Sequence, residues 1–149
     1  MSRLADIPIQ VEKHAPKPAT ATIGGGVTAI LIEIATHLER LAAGGPPSGI
    51  DLRGLPMSPA DQEKLSKALG QGEITITLQA DGESKIRETA VHGVWWSEYR
   101  DLAGEVIAEF IEIASVPAIL PAGPDEFLRG AQRLRVTADS AALRRSIQG

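Results

Sequence analysis

Few residues in this sequence carry acid–base or metal chemistry, and they are scattered. There are three histidines, His14, His37 and His92. No two of them are spaced to share a helix face, and neither an HExxH nor an HxH pattern occurs; zinc sites draw on three or four ligands. His37 follows Glu33 by four residues, the spacing of an ion pair along one helix face. His92 stands beside Gly93 in extended sequence, within reach of Glu88 or Glu98 across a bend. A histidine held by a carboxylate is one way to build a general base, but no nucleophile or second acid accompanies it. Glu88, Glu98, Glu109 and Glu112 occupy the same stretch. Paired carboxylates do acid–base work or hold a hard cation, and cross-strand partners such as Arg87 and Arg100 explain these four equally well. Gly24-Gly25-Gly26 before a helix has the look of a phosphate loop. Val27 stands where the Walker pattern needs lysine and a hydroxyl, and no strand precedes the glycines as a dinucleotide site requires. The residues name no catalytic group, cofactor or metal site.

Trp95 and Trp96 are the more informative pair. Neighbours on a strand point to opposite faces, so one indole fills the core and the other lies on the far side, exposed or covered by another element. An exposed tryptophan is a common interface anchor. Trp95 or Trp96 is therefore the expected anchor of a partner-binding surface, with Arg87, Glu88, His92 and Glu98 around it.

The elements that must position these residues follow from periodicity. Residues 72–113 hold the strand signal. Ile74, Ile76 and Leu78 alternate with Thr75, Thr77 and Gln79, as in a half-buried strand. Asp81-Gly82 marks a hairpin turn. The next strand starts near Ser84 and runs through Ala90; Gly93 suggests a bulge or bend, beyond which Val94 to Tyr99 continue extended. Ala103-Gly104 turns the chain into a last strand, Val106 to Ile113. That strand is apolar on both faces apart from Glu109 and Glu112, which places it centrally or under cover. Short connections require antiparallel neighbours.

Helices flank this region. Val27, Ile30, Leu31, Ile34, Leu38 and Leu41 form one stripe and predict a helix over about 26–43, ended by Gly44-Gly45-Pro46-Pro47. Ser58 as N-cap, Pro59 and Asp61 open a short helix over about 59–69, which stops at Gly70. Pro124, Asp125 and Glu126 start a C-terminal helix, with Phe127, Ala131 and Leu134 as its stripe, over about 124–135; residues 137–149 add a last turn or fray. Between the first two helices, Ile50, Leu52 and Leu55 read as an extended link on the core. The fold class is α+β: an antiparallel three- to four-stranded sheet (about 73–113) packed with those three helices. Residues 1–22, with Pro8, Pro16 and Pro18, read as a flexible arm, of which Ile7 to Val11 can form an edge strand; residues 23–149 read as one domain.

Composition narrows the class. At 149 residues the chain is about one domain long. It has no cysteine, which excludes disulfides, thiol chemistry and cysteine-held clusters on this chain and fits a reducing compartment. A net charge of -4 suits a basic partner better than nucleic acid. No apolar run reaches the 18 to 20 or so residues of a membrane span, and the N-terminus lacks a signal-peptide core, so a cytoplasmic protein is expected. Three readings stay open on these grounds: a non-enzymatic binding protein, a small-ligand or enzymatic domain using His92 and the sheet carboxylates, and a structural oligomerisation module.

The ordered set Asp51-Leu52 with Leu55-Pro56, Leu69-Gly70-Gln71-Gly72-Glu73, Ile86 and Glu88 with Thr89, Gly93-Val94-Trp95, and Ile113 with Val116-Pro117 resembles the HupH family of hydrogenase expression/formation proteins (HyaF- and HoxQ-like). The helix ILIEIATHLERL fits the same pattern, and the resemblance spans residues 24–136. It implies a cytoplasmic, non-catalytic accessory protein of nickel–iron hydrogenase maturation. Such a protein assists the iron–sulfur small-subunit precursor before export, together with a thioredoxin-like partner, and carries no assigned catalytic residues. Longer members look like two such units in tandem, and this chain most resembles the second, so a homodimer is a way to rebuild the pair.

Overall fold

The computed structural model describes residues 9–13 and 25–149. In chain order the elements are β1 (Ile9–Lys13), α1 (Gly25–Ala42), β2 (Ser48–Asp51), α2 (Pro59–Leu69), β3 (Ile74–Gln79), β4 (Glu83–Glu88), β5 (Val94–Arg100), β6 (Val106–Ile113) and α3 (Pro124–Gln148). Apart from β1, the expected arm over 1–22 lies outside the described residues. The described residues divide into two compact units, one ending at Ala118 and one that holds Ile119–Gly149.

The first unit is a single antiparallel sheet in the order β1-β3-β4-β5-β6-β2, carrying α1 and α2. The α+β class is as expected, but the sheet has six strands rather than three or four. The extended link around Ile50 is a strand because its backbone pairs with β6, Ile50 opposite Ile111. β1 pairs with β3, Val11 opposite Ile76. β6 is flanked by β5 and β2, the interior position its apolar character called for. Gly93 is a correction. The chain does not bend there and continue; it reverses, and β4 and β5 are an antiparallel pair with Glu88 opposite Trp95. The Thr89 N–H donates to the Val94 carbonyl at 3.0 Å, and the Thr89 hydroxyl is bonded to both the N–H and the carbonyl of Val91. Gly93 has φ +83°, a conformation that a side chain resists.

Strand alternation separates two faces. One presents Val94, Trp96, Ile111, Ile113 and Ile50, which join Val27, Ile30 and Ile34 of α1 and Leu65 and Leu69 of α2 in one core. Leu31, Leu38 and Leu41 pack on its margin, so the six-residue stripe of α1 faces the sheet as its spacing requires. The other face buries Ile76, Leu78, Ile86 and Trp95. α2 starts as read: the Ser58 hydroxyl accepts the Asp61 N–H at 3.1 Å and Pro59 is the first helical residue. Past its end, Gly72 donates to the Glu88 carbonyl at 2.9 Å. A Cβ at Gly72 would lie 2.4 Å from the Thr89 oxygen, so only glycine fits this junction.

The second unit contains α3, 25 residues long and with none of them buried. It runs well beyond the expected stop near 135. Past Val136 its apolar positions are mostly alanines, which carry high helix propensity but little periodic signal.

Candidate binding groove

Lys85 and Arg87 of β4, Trp96 and Glu98 of β5 and Glu109 of β6 line up across the sheet because their strands pair Lys85 with Glu98, Arg87 with Trp96 and Glu98 with Glu109. All of them face α2. The first two turns of that helix overhang them with Pro59, Gln62, Glu63 and Ser66. The space enclosed is a groove of about 350 Å³, within the size range of ligand-binding clefts.

A chain of hydrogen bonds fixes its floor. Glu109 receives the Trp96 indole N–H on one oxygen at 2.9 Å and the Gln62 amide on the other at 2.7 Å. Arg87 donates to the Ser66 hydroxyl at 2.6 Å and to the Gly70 carbonyl at 3.1 Å. Its guanidinium carbon sits 4.9 Å from the Trp96 ring centroid, inside cation–π range. Burial lowers the Arg87 pKa, while the charges of Glu109 and Glu98 act to raise it. The guanidinium remains a cation at physiological pH, since arginine starts far above it. Arg100 engages the Glu98 carboxylate at 2.6 and 2.7 Å. The groove is thus a polar surface of fixed charged and amide groups, with the Arg87 guanidinium lying over the Trp96 ring.

The six expected partner-binding residues fall on two faces. Trp96, Arg87 and Glu98 meet in the groove; Trp95, Glu88 and His92 do not. Glu88 pairs with His92 at 3.2 Å, the His92 side chain being 92% exposed and that of Glu88 only 10%. Glu98 is on the opposite face of the sheet from Glu88, so the second carboxylate considered for His92 is not beside it. Neither tryptophan is an exposed anchor: Trp95 and Trp96 retain 5% and 6% of their accessible surface. They do point to opposite faces, and the Trp95 indole donates to the Ala114 carbonyl at 3.0 Å. His37 pairs with Glu33 at 3.7 Å, as its spacing required. Among the described residues, no three or more His, Cys, Asp or Glu side chains are grouped to hold a metal ion. Gln62 and Ser66 are groove residues that the sequence reading missed. The signal available was their i, i+4 spacing on the flank of the Leu65–Leu69 stripe, which turns both toward the sheet.

The sheet unit is thus an α+β domain with a polar groove between α2 and its sheet. The chain belongs to the HupH family: residues 26–140 match the model of the HupH hydrogenase expression protein, C-terminal conserved region. It is similar to the hydrogenase expression/formation protein HupH of Rhizobium leguminosarum bv. viciae, 30% identical over 82% of this chain and 42% of that protein. The hydrogenase-1 operon protein HyaF of Escherichia coli K12 is 36% identical over 68% of this chain and 35% of its own length. The chain spans about half the length, or less, of these curated relatives. The solved structure of hydrogenase expression protein HupH from Thiobacillus denitrificans superposes with a TM-score of 0.69 at 39% identity, covering 78% of this chain and 99% of that one. The sequence motifs that carried the resemblance are structural here. Leu69 to Glu73 is the junction closed against β4, and Gly93-Val94-Trp95 is the β4–β5 turn and the start of β5.

Proposed function

We propose that the protein acts in nickel–iron hydrogenase maturation as a non-catalytic binding protein. It holds an immature subunit, the iron–sulfur small-subunit precursor, in the cytoplasm before export and hands it on with a thioredoxin-like partner. The observation that carries this reading is the groove between α2 and the sheet in a chain of a hydrogenase expression family. Arg87 and Glu98 form its client-facing floor, with the buried Trp96 indole beneath Arg87. Glu63 and Lys85 stand on its rim with side chains 68% and 58% exposed, placed to meet a charged client segment. Retention of purified small-subunit precursor by the immobilised protein tests the reading. Capture is expected, and weaker capture by Glu63→Lys with unchanged thermal stability; no retention of precursor by the wild-type protein sinks the proposal. Trp96→Ala is the wrong probe, because it empties the core.

A further inference from the structure

β2 is the last strand of the sheet and pairs on one side alone, with β6. Its register fixes what the free side offers. The Leu52 N–H donates to the Glu109 carbonyl at 3.0 Å, and antiparallel bonding alternates residue by residue. Leu52, Ile50 and Ser48 therefore turn their main-chain groups toward β6, and Gly49 and Asp51 turn theirs away. Both of these residues are exposed, and among the described residues nothing bonds to their N–H or carbonyl groups. Beside them lies a cavity of about 460 Å³, lined in part by Gly49, Asp51, Arg53 and Phe110. We propose that this edge is a second contact for the client, which adds an extended segment to β2 with a lysine or arginine opposite Gly49. The proposal rests on the client-binding reading above, and the edge shares no lining residue with the groove.

Main-chain geometry and charge select this occupant. The open donors and acceptors recur every second residue, about 6.8 Å apart, which is the repeat of an extended chain and not of a helix. Pro46 and Pro47 precede the strand and carry no N–H, so the open run is short. The face that the added side chain meets is acidic. Ile50 and Ile111 are paired and point into the core, so Gly49, Asp51, Phe110 and Glu112 face the other way. Glu112 stands directly across from Gly49. The Asp51 carboxylate accepts the Arg53 and Gly54 N–H groups at 2.9 and 3.4 Å, and that of Glu112 accepts the Ala118 N–H at 3.2 and 3.3 Å. Neither is paired with a basic side chain among the described residues; Arg53 sends its guanidinium to the Val106 carbonyl at 2.6 Å. In antiparallel addition the residue opposite Gly49 takes both of that glycine's main-chain groups and sets its own side chain on the acidic face. A long cationic side chain there has Asp51 diagonal to it and reaches Glu112 across the bare glycine. A carboxylate in its place would be a third negative charge at one spot.

Hydrogen exchange of the full chain, followed amide by amide by NMR with and without purified small-subunit precursor, tests this. With precursor bound, the Gly49 and Asp51 amides are expected to exchange at least about tenfold more slowly, while Ile50 and Leu52, already bonded to β6, change little. Asp51→Asn combined with Glu112→Gln keeps the oxygens that hold the Arg53 and Ala118 N–H groups and removes both charges. This double variant is expected to bind precursor about fivefold more weakly. Precursor binding without slower exchange at Gly49 and Asp51 overturns the edge assignment and leaves the groove reading standing. Slower exchange with wild-type affinity in the double variant overturns the basic side chain opposite Gly49. Slow exchange of both amides in the chain alone, growing with its concentration, gives the edge to a second copy and overturns the client assignment. No binding of precursor overturns both this inference and the reading it rests on.

Discussion

Glu109 ties a core tryptophan to α2 through its two oxygens. Two further side chains show how unevenly the sheet satisfies its polar groups. Ser97 is 1% exposed and its hydroxyl has no hydrogen-bond partner among the described residues, set between Ile86 and Phe110 across the strands. An orphaned buried hydroxyl costs about 1 to 3 kcal/mol. Ser97→Ala is therefore expected to raise the urea midpoint, with a gain on the order of 1 kcal/mol; a loss of that size would mean the hydroxyl is engaged. Tyr99 stacks on Phe110, with ring centroids 5.5 Å apart. Burial, and secondarily the Glu112 carboxylate, raise its pKa above 10.0. A phenol in the unfolded chain ionises at about pH 10, so above that pH the unfolded state loses its proton first and stability falls as pH rises. Tyr99→Phe keeps the stack and should flatten the fall in melting temperature above that pH. Tyr99 is the only tyrosine in the chain, so phenolate absorbance reports its titration directly; an unshifted titration would rule the effect out. Neither feature was legible in the sequence. The exposure of a phenol and the partner of a serine hydroxyl depend on which strands lie side by side, whereas the opposite facing of Trp95 and Trp96 follows from strand geometry alone.

At the scale of elements, legibility followed periodicity and failed where tertiary pairing decided. α1 and α2 begin and end within a residue or so of their expected bounds, because stripe, cap and terminating glycine agree. β2 is only four residues long, too short for its own alternation to register, and exists because β6 offers it an edge. The β4–β5 reversal looks like a bend in sequence because Thr89, whose hydroxyl closes the turn, is indistinguishable from any strand threonine. α3 was cut short for a different reason: alanine at 138, 141 and 142 favours helix without announcing a face. Gly130 is the weak point of that helix, and a Cβ there would meet nothing within 4 Å. Gly130→Ala is expected to stabilise α3 by about 0.5 to 1 kcal/mol. The gain should appear as increased helicity at elevated temperature in circular dichroism; no increase would place a constraint at 130 that the helix alone does not contain.

Charge is the property that links the whole molecule to its proposed work. The chain carries -4 overall, while α3, with Arg129, Arg133, Arg135, Arg144 and Arg145 against Asp125, Glu126 and Asp139, contributes five positive and three negative charges, or +2. Residues outside α3 therefore hold -6, by subtraction of +2 from -4. The groove follows that sign, with Glu63, Glu98 and Glu109 against Lys85 and Arg87. A basic client segment would be steered to the sheet unit by this field, and steering acts on association more than on dissociation. Exposed charges are screened within about 8 Å at physiological ionic strength. Surface-immobilised protein should thus capture the small-subunit precursor with an association rate that falls as salt rises, while the dissociation rate changes little. Glu63→Lys should reduce the salt dependence by removing one of the negative rim charges. If both rates were indifferent to salt, the acidic surface would have no part in recognition. The groove would then act through shape alone, and the rim variants would bind as wild type does.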